Sequence, residues 1–504
     1  AENVAKQSRG KMIHDIGRSF EEVAQQIAPR GRVAERGAPA QRKFRVLIIC
    51  HQMLPRSVRP RSIALALAEK GHDVTFVHTA TDARLRTEVY EANGMRWVAV
   101  PDMLWGRARA GWDLWSTLKR IGYLKRDGGP YDLIHCFETR PATIHAALYY
   151  QRRHGIPIIT DWNDWWGRGG IIDHFRPKWY RTLFGRMETY YEEAFRTKGV
   201  GLTVIATALA KRAMDLGVPA DRICHLQGGT FPDYFVNRDK RECRQRLGYP
   251  MEDPILGFSS VDGHWDLELV MKTLARVKRK HPTVKLMLTG RASSTVRELA
   301  RHHGVEDDLL LTGFLSNEDL PWHMACADLF LLPFPETLYN LGRWPNKFGD
   351  YMALGRPTVA NPIGDVGTFF EKHPVGLTAG CDSEEFSEKV VQLLDDPGLS
   401  QRLGRTARET ALQYDYPTLI GKLDVHDTAC LRFCWLRFLP ESPLPFTVTS
   451  AKPLYSHTPN NLTVARTSLL CQTRRLSIWT RPSQLRHVLN YRLGNHHVSI
   501  HPAS

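Results

Sequence analysis

No run of about 18 apolar residues occurs in this 504-residue chain, which excludes a membrane-spanning helix from the reading. The opening residues, AENVAKQSRGKMIHDIGRSF, lack the apolar core of a secretory signal peptide. Cysteine is scarce and scattered. The nine residues (Cys50, Cys136, Cys224, Cys243, Cys326, Cys381, Cys430, Cys434 and Cys471) form an odd set without framework spacing, which argues for reduced thiols in a cytoplasm. The nearest two, Cys430 and Cys434, have no second pair or HxxxH beside them, so zinc is not expected. Acidic charge is short, but mainly at the ends. The formal charge is +15; residues 1–43 hold nine Lys/Arg against five Asp/Glu, and residues 424–504 hold nine against three. The middle is only mildly basic, so nucleic-acid binding is not expected of it.

What is present is an ordinary globular composition, 42% hydrophobic and 24% charged, over a length that calls for two or three cores. From Phe44 short aliphatic runs alternate with amphipathic segments. FRVLIIC, VTFVH, YDLIHCF, IPIIT and LTVIAT read as strands, and PRSIALALAEKGH as a helix between the first two. Near residues 237–254 the chain turns polar, and the same grammar restarts. ILGFSS, VKLMLTG, DLLLTGF, DLFLLPF, PTVAN and VGLTA are the next strands, with helices between most of them. This alternation predicts an α/β protein of two Rossmann-like, doubly wound domains facing a cleft. The expected organisation is an N-terminal extension (1–43), a first domain (44–237), a second domain (238–423) and a tail (424–504). The tail has no sustained period and many Pro, Ser, Thr and His. It is expected to be disordered or the product of a frame change, with a small third domain as the alternative.

Within the second domain, VKLMLTGRASSTVRELARHHGVEDDLLLTGFLSNEDLPWHMACADLFLLPFPE and then KFGDYMALGRPTVANPIGD resemble the C-terminal domain of GT-B glycosyltransferases of family 4. The first domain is similar to the same family through RVLIICHQMLP, RPRSIALALAEKGHDVTFV and DLIHCFETRPATI, and ITDWNDWW looks like its acceptor-side segment. The resemblance covers about residues 44–421. It implies a GT-B fold and transfer of a sugar from a nucleotide-diphosphate donor to a glycan, lipid-linked or small-molecule acceptor. It further implies retention of anomeric configuration, no catalytic metal and no cofactor beyond the sugar nucleotide as co-substrate.

RWPNKFGDYMALGRP, residues 343–357, then becomes the donor candidate. A helix start offers free N–H groups and a positive dipole end, and here Arg343 and Lys347 add full charges. Both suit a leaving diphosphate, and both also suit a solvated surface helix. Lys347 and Asp350 lie three residues apart, hence on one face, so Lys347 could meet a phosphate while Asp350 accepts from ribose hydroxyls. In the family a glutamate stands at the position of Asp350, and a partner glutamate eight residues earlier. That earlier place is Gly342, and Glu336 or Asn340 is expected to substitute. The family's Arg and Lys after the first strand of this domain are also missing, since GFSSVDGHWD offers only His264. Arg291 and Gly290, at a strand end, complete the expected donor set. Trp344 is expected to pack the loop.

On the acceptor side, TDWNDWWGRGG (160–170) starts where a strand ends, which is where a doubly wound domain places its chemistry. Asp164 falls at the family's aspartate and is expected to position the acceptor hydroxyl as a catalytic residue with Arg343 and Lys347. Asp161, Trp165, Glu138 and Arg140 are expected acceptor contacts, with at least one tryptophan serving as a core plug instead. No carboxylate pair is marked for a covalent sugar intermediate, so a front-face route is preferred. WGRARAGWDLWSTLKR (105–120) reads as an acceptor lid or as a segment lying on an anionic membrane. The expected location is cytoplasmic with peripheral contact at the inner membrane face. The rival readings are a GT-B sugar-nucleotide epimerase or hydrolase and a non-catalytic module that binds sugar nucleotides.

Overall fold

The structure, a computed structural model, describes residues 43–80, 86–103, 111–126, 129–259, 266–290, 293–316 and 318–421. Expectations for the N-terminal extension, the tail, His264 and Arg291 lie outside the described residues. The chain divides into two compact units, residues 1–440 and 441–504, and the described residues all belong to the first.

In chain order the first domain comprises β1 (Arg45–Met53), α1 (Val58–Glu69), β2 (Asp73–Thr79), β3 (Glu88–Ala92), β4 (Met95–Val100), α2 (Leu114–Arg126), β5 (Leu133–Phe137), α3 (Pro141–His154), β6 (Ile158–Trp162), α4 (Ile171–Phe175), α5 (Lys178–Ala194), β7 (Gly201–Val204), α6 (Thr207–Asp215) and β8 (Ile223–His225). Its sheet runs β3-β4-β2-β1-β5-β6-β7-β8. The middle strands are buried along nearly their whole length, as continuous aliphatic runs require when helices cover both faces. Strands β3 and β4 form an antiparallel hairpin that the alternation pattern did not reveal. Its turn is Asn93-Gly94, with φ of 53° and 71°, a two-residue turn whose left-handed backbone Asn and Gly accept. Glu88 and Glu91 keep this edge strand charged and largely exposed, which discourages further pairing.

The second domain contains α7 (Lys240–Leu247), β9 (Ile255–Ser259), α8 (Leu267–Val277), β10 (Lys285–Thr289), α9 (Ser294–His302), β11 (Leu309–Gly313), α10 (Leu320–Met324), β12 (Leu329–Leu332), α11 (Leu338–Leu341), α12 (Asn346–Ala353), β13 (Thr358–Ala360), α13 (Gly364–Lys372), β14 (Gly376–Thr378), α14 (Ser383–Asp395) and α15 (Pro397–Gln413). All six strands are parallel, in the order β11-β10-β9-β12-β13-β14. The order reverses between β9 and β12, and a crevice opens at the carboxyl end of such a switch point. In the first sheet the equivalent reversal lies between β1 and β5. These two switch points are where chemistry is to be sought.

After α15 the chain returns to the first domain. Tyr416, Leu419 and Ile420 are buried in the core that holds Val46, Ile48 and Phe76. Gly229 lies so close to Leu419 and Tyr416 that a Cβ there would meet them at 2.8 and 3.2 Å. The outgoing connection (226–239) and the returning segment therefore pack on each other as a two-stranded hinge.

Candidate active site

The cationic helix start forms as its sequence suggests. Pro345 precedes α12, no side chain caps the helix, and no acidic residue stands in its first turn. Its end is conventional: Gly355 adopts φ 66° and its N–H reaches the Met352 carbonyl. Lys347 turns toward the carboxyl end of β9. Its Nζ donates to the Ser259 carbonyl at 3.1 Å and lies 4.1 Å above the Phe258 ring. Burial and, after it, Arg343 lower its pKa to about 7 against the opposing pull of Asp266. Arg343 pairs with Asp266 at 3.5 Å and is itself held below its usual range, chiefly by burial.

Asp350 meets different neighbours. Its carboxylate accepts from the Thr230 hydroxyl at 3.3 Å, and burial raises its pKa to about 8. Gly349 permits this approach, because a Cβ there would stand 3.1 Å from the Gly229 carbonyl. Lys347 thus points to the switch point and Asp350 to the hinge. Around the same helix start the Trp344 indole N–H, the Asn346 amide oxygen and the Asn340 amide oxygen are buried without a hydrogen-bond partner among the described residues. Trp344 packs against Phe348 and Phe369, as a loop-packing residue should. Asn340 donates to the Pro335 carbonyl at 2.6 Å and so shapes the loop that precedes the helix. Glu336 is exposed in that loop, and Gly290 follows β10 with φ 107°, bridged to Gly313.

Across the cleft, Asp164 follows β6. Burial pushes it up to about 7, with Arg343, then Arg140 and Arg59, pulling the other way. Its oxygen accepts from the Asn163 amide at 3.1 Å. Glu138 follows β5 with φ 60°, an uncommon backbone for a residue other than glycine. Burial raises it to about 8 against the pull of Arg196, and Oε1 accepts from the Asn163 backbone N–H at 3.2 Å. It lines a small cavity with Cys50, His51, Gln52, Phe137 and Asn163. Arg140 lies 4.4 Å from the Trp166 ring. Glu138, Arg140 and Asp164 therefore gather on one wall, and Arg343, Asp266 and Lys347 on the other.

One acceptor-side expectation is corrected. Asp161 is fully buried: Arg59 donates to it from Nε and Nη2 (2.8 Å from Nη2), and Thr203 donates at 2.6 Å. These bonds tie α1 to β6 and β7, and the carboxylate has no exposed surface to offer an acceptor. Trp165 is a spacer between domains. Arg212 lies 4.4 Å from its ring, its indole donates to the Arg168 carbonyl, and a Cβ at Gly342 would meet its Cβ at 2.6 Å. The place of the missing glutamate is thus closed by Trp165. Trp162 is the core plug, with its indole on Glu192 at 3.0 Å.

Three participants went unread in the sequence. Asp266 follows β9 in the segment searched only for cations, yet it is the carboxylate partner of Arg343. Thr230, in the hinge, holds Asp350. His51, at the end of β1, is buried with Nδ1 unpartnered, and burial beside Arg140 and Arg120 keeps its pKa well below the usual histidine range. The position of His51 after a strand was the available signal.

A family model described as "Glycosyltransferase Family 4" matches residues 57–233, and one described as "Glycosyl transferases group 1" matches residues 254–396. The chain belongs to the GT-B glycosyltransferases of family 4 (group 1), and it is an enzyme of that class. It is 23% identical over 305 residues to an alpha-D-kanosaminyltransferase of Streptomyces kanamyceticus, covering 58% of this chain and 75% of that protein. It is 25% identical over 236 residues to a GDP-mannose-dependent alpha-(1-6)-phosphatidylinositol monomannoside mannosyltransferase of Mycobacterium tuberculosis, covering 44% of this chain and 60% of that protein. Among solved structures, sucrose-phosphate synthase of Thermosynechococcus elongatus shares the fold, with TM-score 0.61, 15% identity and coverage of 78% of this chain and 100% of that one.

Proposed function

We propose that the enzyme transfers a sugar from a nucleotide-diphosphate donor to a glycan or lipid-linked acceptor, with retention, without a metal, and in contact with a membrane surface in the cytoplasm. The observation that carries this reading is the convergence of Arg343 and Lys347 at the β9 switch point, facing Asp164 and Glu138 across the cleft. In this reading the diphosphate lies at the start of α12, where the two cations take up the charge that grows as the sugar–phosphate bond breaks. The ribose lies toward the hinge, with Asp350 accepting from its hydroxyls. Arg291, His264 and Gly290 belong to the same donor side, and Glu336 and Asn340 to its loop.

Asp164 accepts from the acceptor hydroxyl and orients it, with Glu138 and Arg140 as further contacts. The anomeric carbon parts from the phosphate oxygen, which keeps the bonding pair. The acceptor oxygen bonds to that carbon from the same face, and its proton passes to the departing phosphate. The mannosyltransferase relative acts on a lipid, which supports the lipid-linked branch of the acceptor reading. The test is turnover of a panel of sugar nucleotides in EDTA, with and without candidate glycan and glycolipid acceptors. Transfer that needs an acceptor and survives EDTA is expected. Donor consumption without any acceptor would favour the epimerase or hydrolase, and binding without turnover the non-catalytic module.

A further inference from the structure

Helix α5 carries an apolar stripe that the protein leaves in solvent. Trp179, Leu183 and Tyr190 are 61%, 67% and 58% exposed, and together with Arg186 they recur at helical spacing along one face. The opposite face is spoken for: Tyr180, Glu188 and Glu192 are buried, with Glu192 accepting from Trp162, Trp166 and Gly167. The exposed stripe therefore contributes little to the core of the first domain. At the C-terminal end of α5, Tyr191 meets Trp112 edge-on at 5.3 Å, just ahead of α2. Helix α2 adds exposed Leu114, Trp115 and Leu118, with Lys119 4.3 Å from the Trp115 ring. At the other end, Phe175 packs 5.2 Å from Tyr339 of the second domain, so the stripe starts at the rim of the cleft.

The charges beside it are nearly all of one sign. Arg186 stands in the stripe, and Arg168, Arg176 and Lys178 are exposed around the start of α5, against Asp173. A protein-binding core is depleted of charge, whereas a basic border around exposed Trp, Tyr and Leu is the chemistry of a helix lying in a lipid headgroup layer. Arginine stems can rest on the apolar surface while their heads reach phosphates. We propose that the outer face of α5, extended by the start of α2, docks on an anionic phospholipid surface and holds the cleft rim against it. This deepens the transfer reading and rests on its lipid-linked branch. Seventeen residues of helix span about 25 Å, enough for the whole stripe to lie flat.

The test floats the full-length chain with vesicles of phosphatidylcholine alone and of equal parts phosphatidylcholine and phosphatidylglycerol. Partition into the anionic vesicles only, weakened by salt, is expected. Leu183→Glu should lower that partition about ten-fold, as should the pair Lys178→Glu and Arg186→Glu. A thermal shift with uridine or guanosine diphosphate checks that these variants keep their fold and donor site. Equal partition into both vesicles, none into either, or partition that ignores the substitutions overturns the proposal. So does a dimer in solution that Leu183→Glu dissociates, because the face then belongs to a second copy. Vesicle binding without transfer to any acceptor would leave this surface standing and remove the transfer reading instead.

Discussion

The two walls of the cleft are built from opposite charges, and burial drives both toward neutrality. On the first domain, Glu138 and Asp164 are raised to about 8 and about 7. On the second, Lys347 is lowered to about 7, while Arg343 stays charged beside Asp266. A site that wanted only stability would not hold carboxyls and an ammonium half-neutralised a short way apart. It would pair them or replace them with apolar groups, since an incompletely paired buried charge costs more than it contributes. Each wall instead keeps a group that a ligand can answer: Lys347 rests on the Ser259 carbonyl and the Phe258 ring, and Asp164 on the Asn163 amide.

The comparison breaks most sharply at Lys347. If the second wall serves the leaving diphosphate, its charge matters most where the phosphate gains negative charge, so Lys347→Met should lower turnover by about 100-fold or more with a smaller loss of donor affinity. Arg343→Lys should also cost activity, because an ammonium cannot reproduce a guanidinium's two parallel contacts with phosphate. Single-turnover rates and donor titrations on both variants decide the matter. Full rates in both, with transfer abolished by EDTA, would mean that a metal neutralises the phosphate instead.

A second contrast lies within α12, between its start and its middle. Asp350 faces the hinge, so if it meets the ribose, Asp350→Ala should weaken nucleoside diphosphate by about 3- to 10-fold near pH 7, the worth of a hydrogen bond to a carboxyl that burial keeps largely protonated there. The penalty should shrink for a dideoxyribose analogue. Equal penalties for both nucleotides would remove the ribose assignment.

How legible all this was depended on whether the cause lay nearby in the chain. The six strands of the second domain were readable because each is an aliphatic run bounded by turn residues. The Gly355 stop was readable because a left-handed cap is a local demand. The hairpin at Asn93-Gly94 carried its own turn signal, which the search for alternating strands and helices passed over. Gly342 read as a loss, because its reason is remote: Trp165, 177 positions earlier, fills the space a side chain would need. Asp161 read as a site residue for the same reason in reverse. It ends a strand beside the functional loop, but Arg59, 102 residues away, had already claimed it. Burial and long-range pairing separate a structural carboxylate from a functional one, and neither is written locally.

The smallest effect is the most direct test of the two walls, because it reads their protons. Lys347 titrates near pH 7 in the free protein, so its charge fades as pH rises above that point. An intact sugar nucleotide keeps the same diphosphate charge through this range, and its affinity should therefore fall by up to about ten-fold per pH unit between about pH 7 and about pH 9. Calorimetric titration checks this, and Lys347→Met should bind weakly but without the slope. Stability should respond in the opposite sense on each wall. Lys347 has a folded pKa below its unfolded one, so above about pH 7 the unfolded chain holds more protons and this lysine makes the fold more stable as pH rises. Glu138 and Asp164 have folded pKa values above their unfolded ones. The stability they confer is complete below about pH 4 and is lost as pH rises through about 7 to 8. Glu138→Gln should accordingly flatten the fall in melting temperature over the acid-to-neutral range and leave the donor's alkaline slope untouched. A wild-type donor affinity that stays constant from about pH 6 to about pH 9 would show that the second wall meets its ligand through Arg343 alone.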